Sequence, residues 1–584
     1  MANDGPAPTP PGHFHAIAFD YDGTLTDRDR PTAVVLDALA ETRAAGCSVV
    51  LVTGRILVEL RRSFPEVDRH FDLIVAENGA VVCHRGVERA LVAPVPRQLD
   101  AALAQRRISF RRGQVLLAAE AADEPAILTE LRRLELECQL IRNRGSLMIL
   151  PTGVSKGSGL YNGLGDLGIS HHNTIAIGDA ENDHSLLDVA ELGVAVANAV
   201  DALKAHADVT LDRANGEGVT AFLRGDVVSG RQRVHPKRWR LNLGPLADGS
   251  PASVPASQLN MVIAGSSGRG KSYVAGLVAE RLIGLGYSVL VSDPEGDHVG
   301  LGQLRGALVV GGGGRLPAPD ELVGLLRHRF GSVVVDLSGV PEPERVEYLR
   351  VALPAVEVLR AQTGLPHWVV VDEAQSSLGR DAPHSSVLDA GVTGYCLVTH
   401  QPQELSMAAL DGADVLLALP GREDLEPIIE LVARTGGVTE KRAGALVRHT
   451  HPGQAVLVDR TQTKPPVVFT IAQRETPHLR HWHKYSLGRL PQERRFYFRS
   501  DWDNATGATA GSIQELEYVL RVCDDAVIAH HCEHRDISRW IVDVLGDPPL
   551  GAEVAEVEAG VRTGGRVAES RDRLVRIIHD RYPG

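Results

Sequence analysis

The sequence predicts an α/β protein built from several domains, and three observations carry that reading. Its 584 residues exceed what one ordinary core accommodates, at roughly 100–200 residues per domain. Short apolar runs recur beside glycines, as buried strands do where they hand the chain to a loop and a helix. Aromatic residues make up only 4% of a chain that is 43% hydrophobic, so the cores must be filled mostly by Val, Leu and Ala.

The same counts restrict the class of function. A net charge of -13 argues against a protein that coats nucleic acid generally, and leaves only a local basic channel open to that partner. The cysteines (Cys47, Cys83, Cys138, Cys396, Cys523 and Cys532) are scattered without a C-x-x-C pair. That argues against a disulfide scaffold or a cysteine zinc site and fits a reducing cytoplasm. Residues 1–13 lack the pattern of a signal peptide and are expected to be a disordered lead-in. No apolar run approaches the roughly 20 residues needed to cross a bilayer. A cytoplasmic protein without a membrane partner is expected.

The first unit is expected over 14–225. Ala16 to Phe19 reads as a buried strand that turns through Asp20-Tyr21-Asp22-Gly23-Thr24. In an open α/β sheet, ligands sit beyond the carboxyl ends of strands, and residues at i and i+2 can face one side of an extended chain. Both carboxylates can therefore reach one substrate, one attacking phosphorus and the other managing a proton. A helix over Pro31 to Ala45 and a strand over Val49–Val52 follow, delivering Thr53-Gly54-Arg55, whose hydroxyl and backbone N–H suit phosphate oxygens. Lys156 stands near a helix start, where it would neutralise phosphate charge. The strand Thr174–Ile177 leads into Gly178-Asp179-Ala180-Glu181-Asn182-Asp183, a carboxylate cluster of the hard-oxygen kind that magnesium takes. A small α/β cap is expected at about 81–152, with strands at Val115–Leu117 and Leu147–Leu150 and a helix over Leu128 to Leu136. Arg106, Arg107, Arg111 and Arg112 on it read chiefly as a solvated face, with a substrate's distal groups as their alternative use.

Asp-x-Asp-Gly-Thr, Thr-Gly-Arg, the lysine and Gly-Asp-x-x-Asn-Asp, in that order, resemble the haloacid dehalogenase-like phosphatases. Glu77-Asn78-Gly79-Ala80 resembles the branch whose cap follows the second motif. The resemblance implies a Rossmann-like core and a magnesium-dependent phosphomonoesterase acting on a small phosphorylated substrate, a sugar phosphate among the candidates. It implies that Asp20 forms an aspartyl-phosphate, that Asp22 is general acid and then base, and that Thr53, Gly54 and Lys156 grip the phosphoryl group. Asp20, Asp22, Asp179 and Asp183 are the implied metal residues.

A linker and hairpin are expected over 226–258, with the turn at Ala247-Asp248-Gly249-Ser250. The second unit is expected over 259–474. Strand Leu259–Ala264 runs into Gly265-Ser266-Ser267-Gly268-Arg269-Gly270-Lys271-Ser272 and then a helical stretch, which is the P-loop pattern in its required setting. Backbone N–H groups cradle the phosphates of ATP, Lys271 reaches the terminal ones, and Ser272 ligates magnesium. Val369 to Glu373 offers Asp372 for the metal's water shell and Glu373 as base. Gln401 follows the next strand and reads equally as a γ-phosphate sensor or as a satisfied polar residue at a strand end, and Asp336 reads as a strand-end turn residue. With Asp293-Pro294-Glu295-Gly296-Asp297, these pieces resemble the HerA and VirB4 kind of ATPase. That family implies ring-shaped homo-oligomers and an arginine from a neighbour, for which Arg422, Arg434 and Arg442 are the candidates. Gly311 to Gly314 reads as a flexible turn.

Residues 475–584 are expected to be a small helical domain, preceded by a mixed linker with His478, His481 and His483. His530, His531, Cys532 and His534 crowd together but form only one knuckle, which favours packing over zinc. The leading reading is thus a phosphatase fused to an ATPase. Two others use the same motifs: a nucleic-acid motor with an accessory phosphatase, and an ATP-gated regulatory phosphatase.

Overall fold

The computed structural model describes residues 12–582, apart from 29, 144, 267, 313, 380–391, 422–424, 463, 478–489, 491, 502–503 and 546. Ser267, Arg422, His478, His481, His483 and nearly all of the expected lead-in therefore lie outside the described residues.

Among the described residues, the first unit is built on an eight-stranded sheet. Its order is Val209–Thr210, Leu192–Ala195, Thr174–Gly178, Ala16–Asp20, Ser48–Val52, Leu73–Ala76, Val81–His84 and Val87–Ala90. The first six strands are parallel and the last two antiparallel. The central strands are apolar and buried throughout, because helices cover both faces of a parallel sheet. Val81 to Ala90 therefore belongs to the core sheet. The cap's own four-stranded sheet starts later, in the order Phe110–Arg112, Leu117–Glu120, Ser146–Pro151, Cys138–Asn143. Helices Gln98–Gln105 and Glu124–Arg133 close its separate small core. Val115 and Leu116, expected in a strand, lie in the turn before Leu117.

The second unit has a nine-stranded sheet: Ala307–Gly311, Ser332–Asp336, Val289–Asp293, Trp368–Val371, Tyr395–Thr399, Met261–Gly265, Val415–Leu419, Gln454–Asp459 and Val467–Thr470. The last two are antiparallel additions to a parallel sheet. The hairpin Arg240–Pro245/Pro251–Pro255 packs into the same core as Met261 and Ile263, so it is part of this unit rather than of a linker. The third unit is mainly helical, as expected, but opens on a hairpin, Phe496–Arg499 with Ala505–Ala510. No helix among the described residues is long and apolar enough to cross a membrane.

The first two units meet at the amino ends of their strands. His172, just before Thr174–Gly178, donates its Nε2–H to Leu285 O (3.0 Å), just before Val289–Asp293. Its other ring nitrogen pairs with buried Glu191 at 2.7 Å, and Tyr287 and Ser257 from the second unit donate to the same carboxylate. The His172 and Tyr287 rings stack at 3.6 Å. Arg329 donates to Tyr161 O (3.0 Å) beside them. The carboxyl ends of both sets of strands lie at the opposite edges, about 17 Å along each strand from this joint.

Candidate active sites

Four segments converge at the carboxyl edge of the first sheet. The strand Ala16–Asp20 ends on Asp20, which is 4% exposed, and Ser48–Val52 delivers Thr53 beside it. Ser155 caps the helix Lys156–Leu167 by accepting the Ser158 N–H, and this fixes Lys156 at the helix start. Lys156 Nζ donates to Asp20 Oδ1 (2.5 Å) and to Asp183 Oδ1 (2.6 Å) while only 1% exposed. The other Asp183 oxygen accepts the backbone N–H groups of Asp179 and Ala180, each at 2.9 Å. Thr24 Oγ1 donates to Asp179 Oδ1 at 3.1 Å, and Asn198 ties back to Gly23 O at 2.8 Å.

The electrostatics follow from burial. Burial and the neighbouring Asp183 push the Asp20 carboxyl well above the usual carboxylate range, with Lys156 opposing them. Burial works against the charge on Lys156, but Asp183 and Asp20 outweigh it and hold the ammonium protonated. Oxygens of Asp20, Asp179 and Asp183 all lie within 4.8 Å of one another.

Asp22 departs from the expectation. It stands outside that carboxylate cluster and accepts a two-pronged pair from Arg55, with Nε at 2.9 Å and Nη2 at 2.6 Å. A fork-to-carboxylate pair of this geometry is strong, and it occupies the Asp22 side chain with a guanidinium rather than a metal. Arg55 also lies over the Tyr21 ring at 4.9 Å. Thr53 Oγ1 accepts its own loop's Arg55 N–H at 3.1 Å, and Gly54 lies under Met148 of the cap. The cap arginines are mostly engaged: Arg106 with Glu130, Arg111 with Glu59, Arg112 with Asp100.

The second site lies at the carboxyl edge of the nine-stranded sheet, in a cavity of about 990 Å³. Gly268, Arg269, Gly270, Lys271 and Ser272 line it, facing Asp297, Asp372, Glu373, Gln375 and His400. Gly265 ends the strand and Ser266 opens the loop, its carbonyl accepting from Lys271 Nζ at 3.4 Å. Gly270 has φ 91°, a conformation that a side chain would resist, and this lets the loop turn into the helix at Lys271. Asp372 Oδ2 lies 3.0 Å from His298 Nε2. Burial opposes protonation of that imidazole, but Asp293 and Asp372 raise its pKa. Asp293 is itself raised to about 7, first by burial. Glu373 is held in the left-handed region (φ 50°), paired with His400 Nδ1 at 2.7 Å and with Gln375.

Gln401 does not join this site. It is absent from the cavity wall, and its side-chain amide, turned to donate, meets Glu404 at 2.9 Å. Gln375 and His400 stand there instead, both adjacent to motifs visible in the sequence. His298 directly follows the Asp293–Asp297 motif, but only folding brings it to Asp372. Asp336 accepts from Ser338 N at 2.9 Å, as a strand-end turn residue does. Arg434 pairs with Asp411 at 2.9 Å. In the third unit, His531 Nε2 accepts the Arg499 N–H and Nδ1 pairs with Asp536, and His530, His531 and Asp536 each bring a possible ligand atom within 4.8 Å of the others.

Residues 17–95 and 109–223 match the family model described as haloacid dehalogenase-like hydrolase. Residues 242–310 match the one described as the central domain of helicase HerA. The phosphoglycolate phosphatase of Methanothermobacter thermautotrophicus is 31% identical over 218 residues, covering 36% of this chain and 98% of its own. That of Methanopyrus kandleri is 35% identical over 227 residues, covering 36% and 95%. A solved haloacid dehalogenase-like hydrolase from Bacteroides thetaiotaomicron shares 22% identity over 36% of this chain and 98% of that one, with a TM-score of 0.32. Through the unit that carries Asp20, Thr53, Lys156 and Asp179, this chain belongs to the haloacid dehalogenase-like hydrolases.

Proposed function

We propose that the first unit is a magnesium-dependent phosphomonoesterase for a small phosphorylated metabolite, and that the second unit hydrolyses ATP. The observation that carries the phosphatase reading is the buried knot in which Lys156 holds Asp20 and Asp183 while Asp179 stands beside them. Phosphoglycolate, named for the relatives above, and sugar phosphates are the substrate candidates.

Asp20 attacks phosphorus, and the ester P–O bond breaks to leave an aspartyl-phosphate. Asp22, released from Arg55, gives its proton to the departing oxygen and then takes one from the water that hydrolyses the acyl-phosphate. Lys156 and the Thr53-Gly54 loop hold the phosphoryl oxygens. The hard carboxylate oxygens of Asp20 and Asp179 fit magnesium, with Asp183 bracing both the lysine and the loop. Bound there, the cation offsets repulsion between nucleophile and phosphate. In the second unit, Lys271 and the loop N–H groups grip the phosphates, Ser272 and Asp372 serve the metal, and Glu373 orients water.

The test is release of p-nitrophenol from its phosphate ester, run alongside ATP hydrolysis. Asp20→Asn should abolish the first and spare the second, and Lys271→Ala the reverse. Wild-type rates in both variants would reject the assignment. The match to the HerA central domain favours a second reading, a ring-forming motor on nucleic acid with the phosphatase as accessory. DNA-stimulated ATP hydrolysis by a homo-oligomer would support it, and a DNA-indifferent monomer would count against it.

A further inference from the structure

We propose that Glu77 is a positioning residue that latches the cap over the nucleophile. The inference rests on the phosphatase reading for its kinetic consequence, but not for the latch itself.

Glu77 stands at the end of the core strand Leu73–Ala76 and is 1% exposed. Its carboxylate accepts three successive backbone N–H groups from the cap: Gln114 at 2.7 Å, Val115 at 2.8 Å and Leu116 at 3.0 Å. Consecutive N–H groups form a concave anion seat, and bonds to an ionised acceptor are about twice as strong as neutral ones. The seat fits closely, because a Cβ at Gly113 would lie 2.5 Å from the Glu77 carboxylate.

The foot of the latch is equally constrained. Glu77 and Asn78 have φ of 54° and 56°, which is costly for residues with side chains and persists only where surroundings enforce it. Here Glu77 N donates to Arg55 O (3.0 Å) and Asn78 N to Thr53 O (2.9 Å). The residue that holds the cap is therefore bonded through its backbone to the loop that grips phosphate. Two strands on, the cap reaches the same loop again, since a Cβ on Gly54 would lie 3.2 Å from Met148 Sδ. Held by Glu77, the cap sets Met148 against Gly54 and so fixes the roof over an ester's leaving group.

Hydrogen exchange of the amides of 114–116 in the full chain tests the latch, and hydrolysis of p-nitrophenyl phosphate tests its consequence. Glu77→Gln leaves N–H groups facing an amide, and Gly113→Ala pushes the seat away without altering the buried carboxylate. Both should speed exchange at those amides and raise KM by about tenfold, with ATP hydrolysis unchanged. The effect falls on KM because the cap covers the leaving group, whereas a partly unfolded population would lower kcat alone. If Glu77→Gln does not fold, Gly113→Ala carries the test. Wild-type exchange in the variants, or faster exchange with KM unmoved, overturns the proposal. Absence of phosphatase activity in the wild type would remove the reading of the site and leave exchange as the test of the latch.

Discussion

Replacing Lys156 with Met keeps most of the stem and deletes the ammonium. That group lies 2.5 Å from Asp20 and 2.6 Å from Asp183, with side chains 1%, 5% and 0% exposed, so solvent cannot substitute for it. Removing one partner of a buried pair costs about 3–5 kcal/mol, and a lysine paired twice belongs at the upper end. The first unit should therefore unfold at clearly lower urea. The sign of the catalytic effect also follows. Burial and Asp183 already hold the Asp20 carboxyl high, and Lys156 opposes them. Without the lysine Asp20 keeps its proton to still higher pH, yet it must be ionised to attack. The acid limb of the pH–rate profile for p-nitrophenyl phosphate should move toward alkaline pH, with a lower maximum. A Lys156→Met protein with the wild-type urea midpoint and an unmoved acid limb would refute the reasoning.

Glu373→Gln should lower the turnover of ATP hydrolysis by about 10²–10⁴-fold, the usual weight of a general base, while nucleotide binding persists. Unchanged turnover would assign the role elsewhere. At the joint end of the first sheet, burial pushes His15 down to about 4, with His13 adding to it. A lowered histidine pKa means that the unfolded chain takes the proton first. The contribution of His15 is thus complete above about 6.5 and is lost as pH falls toward about 4, on the order of 3 kcal/mol in all. Unfolding free energy should fall over that acid window in the wild type and fall less steeply in His15→Gln. Identical slopes would show that His15 is not the group responsible.

What the sequence determined by itself is local. Apolar runs such as Ala16–Phe19 and Thr174–Ile177 bury on both faces of a parallel sheet, and that requirement alone marks them as strands. The Asp20, Thr53 and Asp179 loops were legible because such strands end at the ligand edge. The P-loop was legible because its glycines, lysine and serine are contiguous. Tertiary structure decided what depends on packing between distant segments. It gave Asp22 to Arg55. It brought His298 to Asp372, set Glu77 under the cap, and joined the two sheets through His172, Glu191 and Tyr287. Each of these is a side chain choosing among several possible partners, and the choice is made by which buried charge or donor would otherwise go unmatched. Short-range periodicity holds no record of that choice, because the partners lie tens to more than a hundred residues apart and meet only when the cores close.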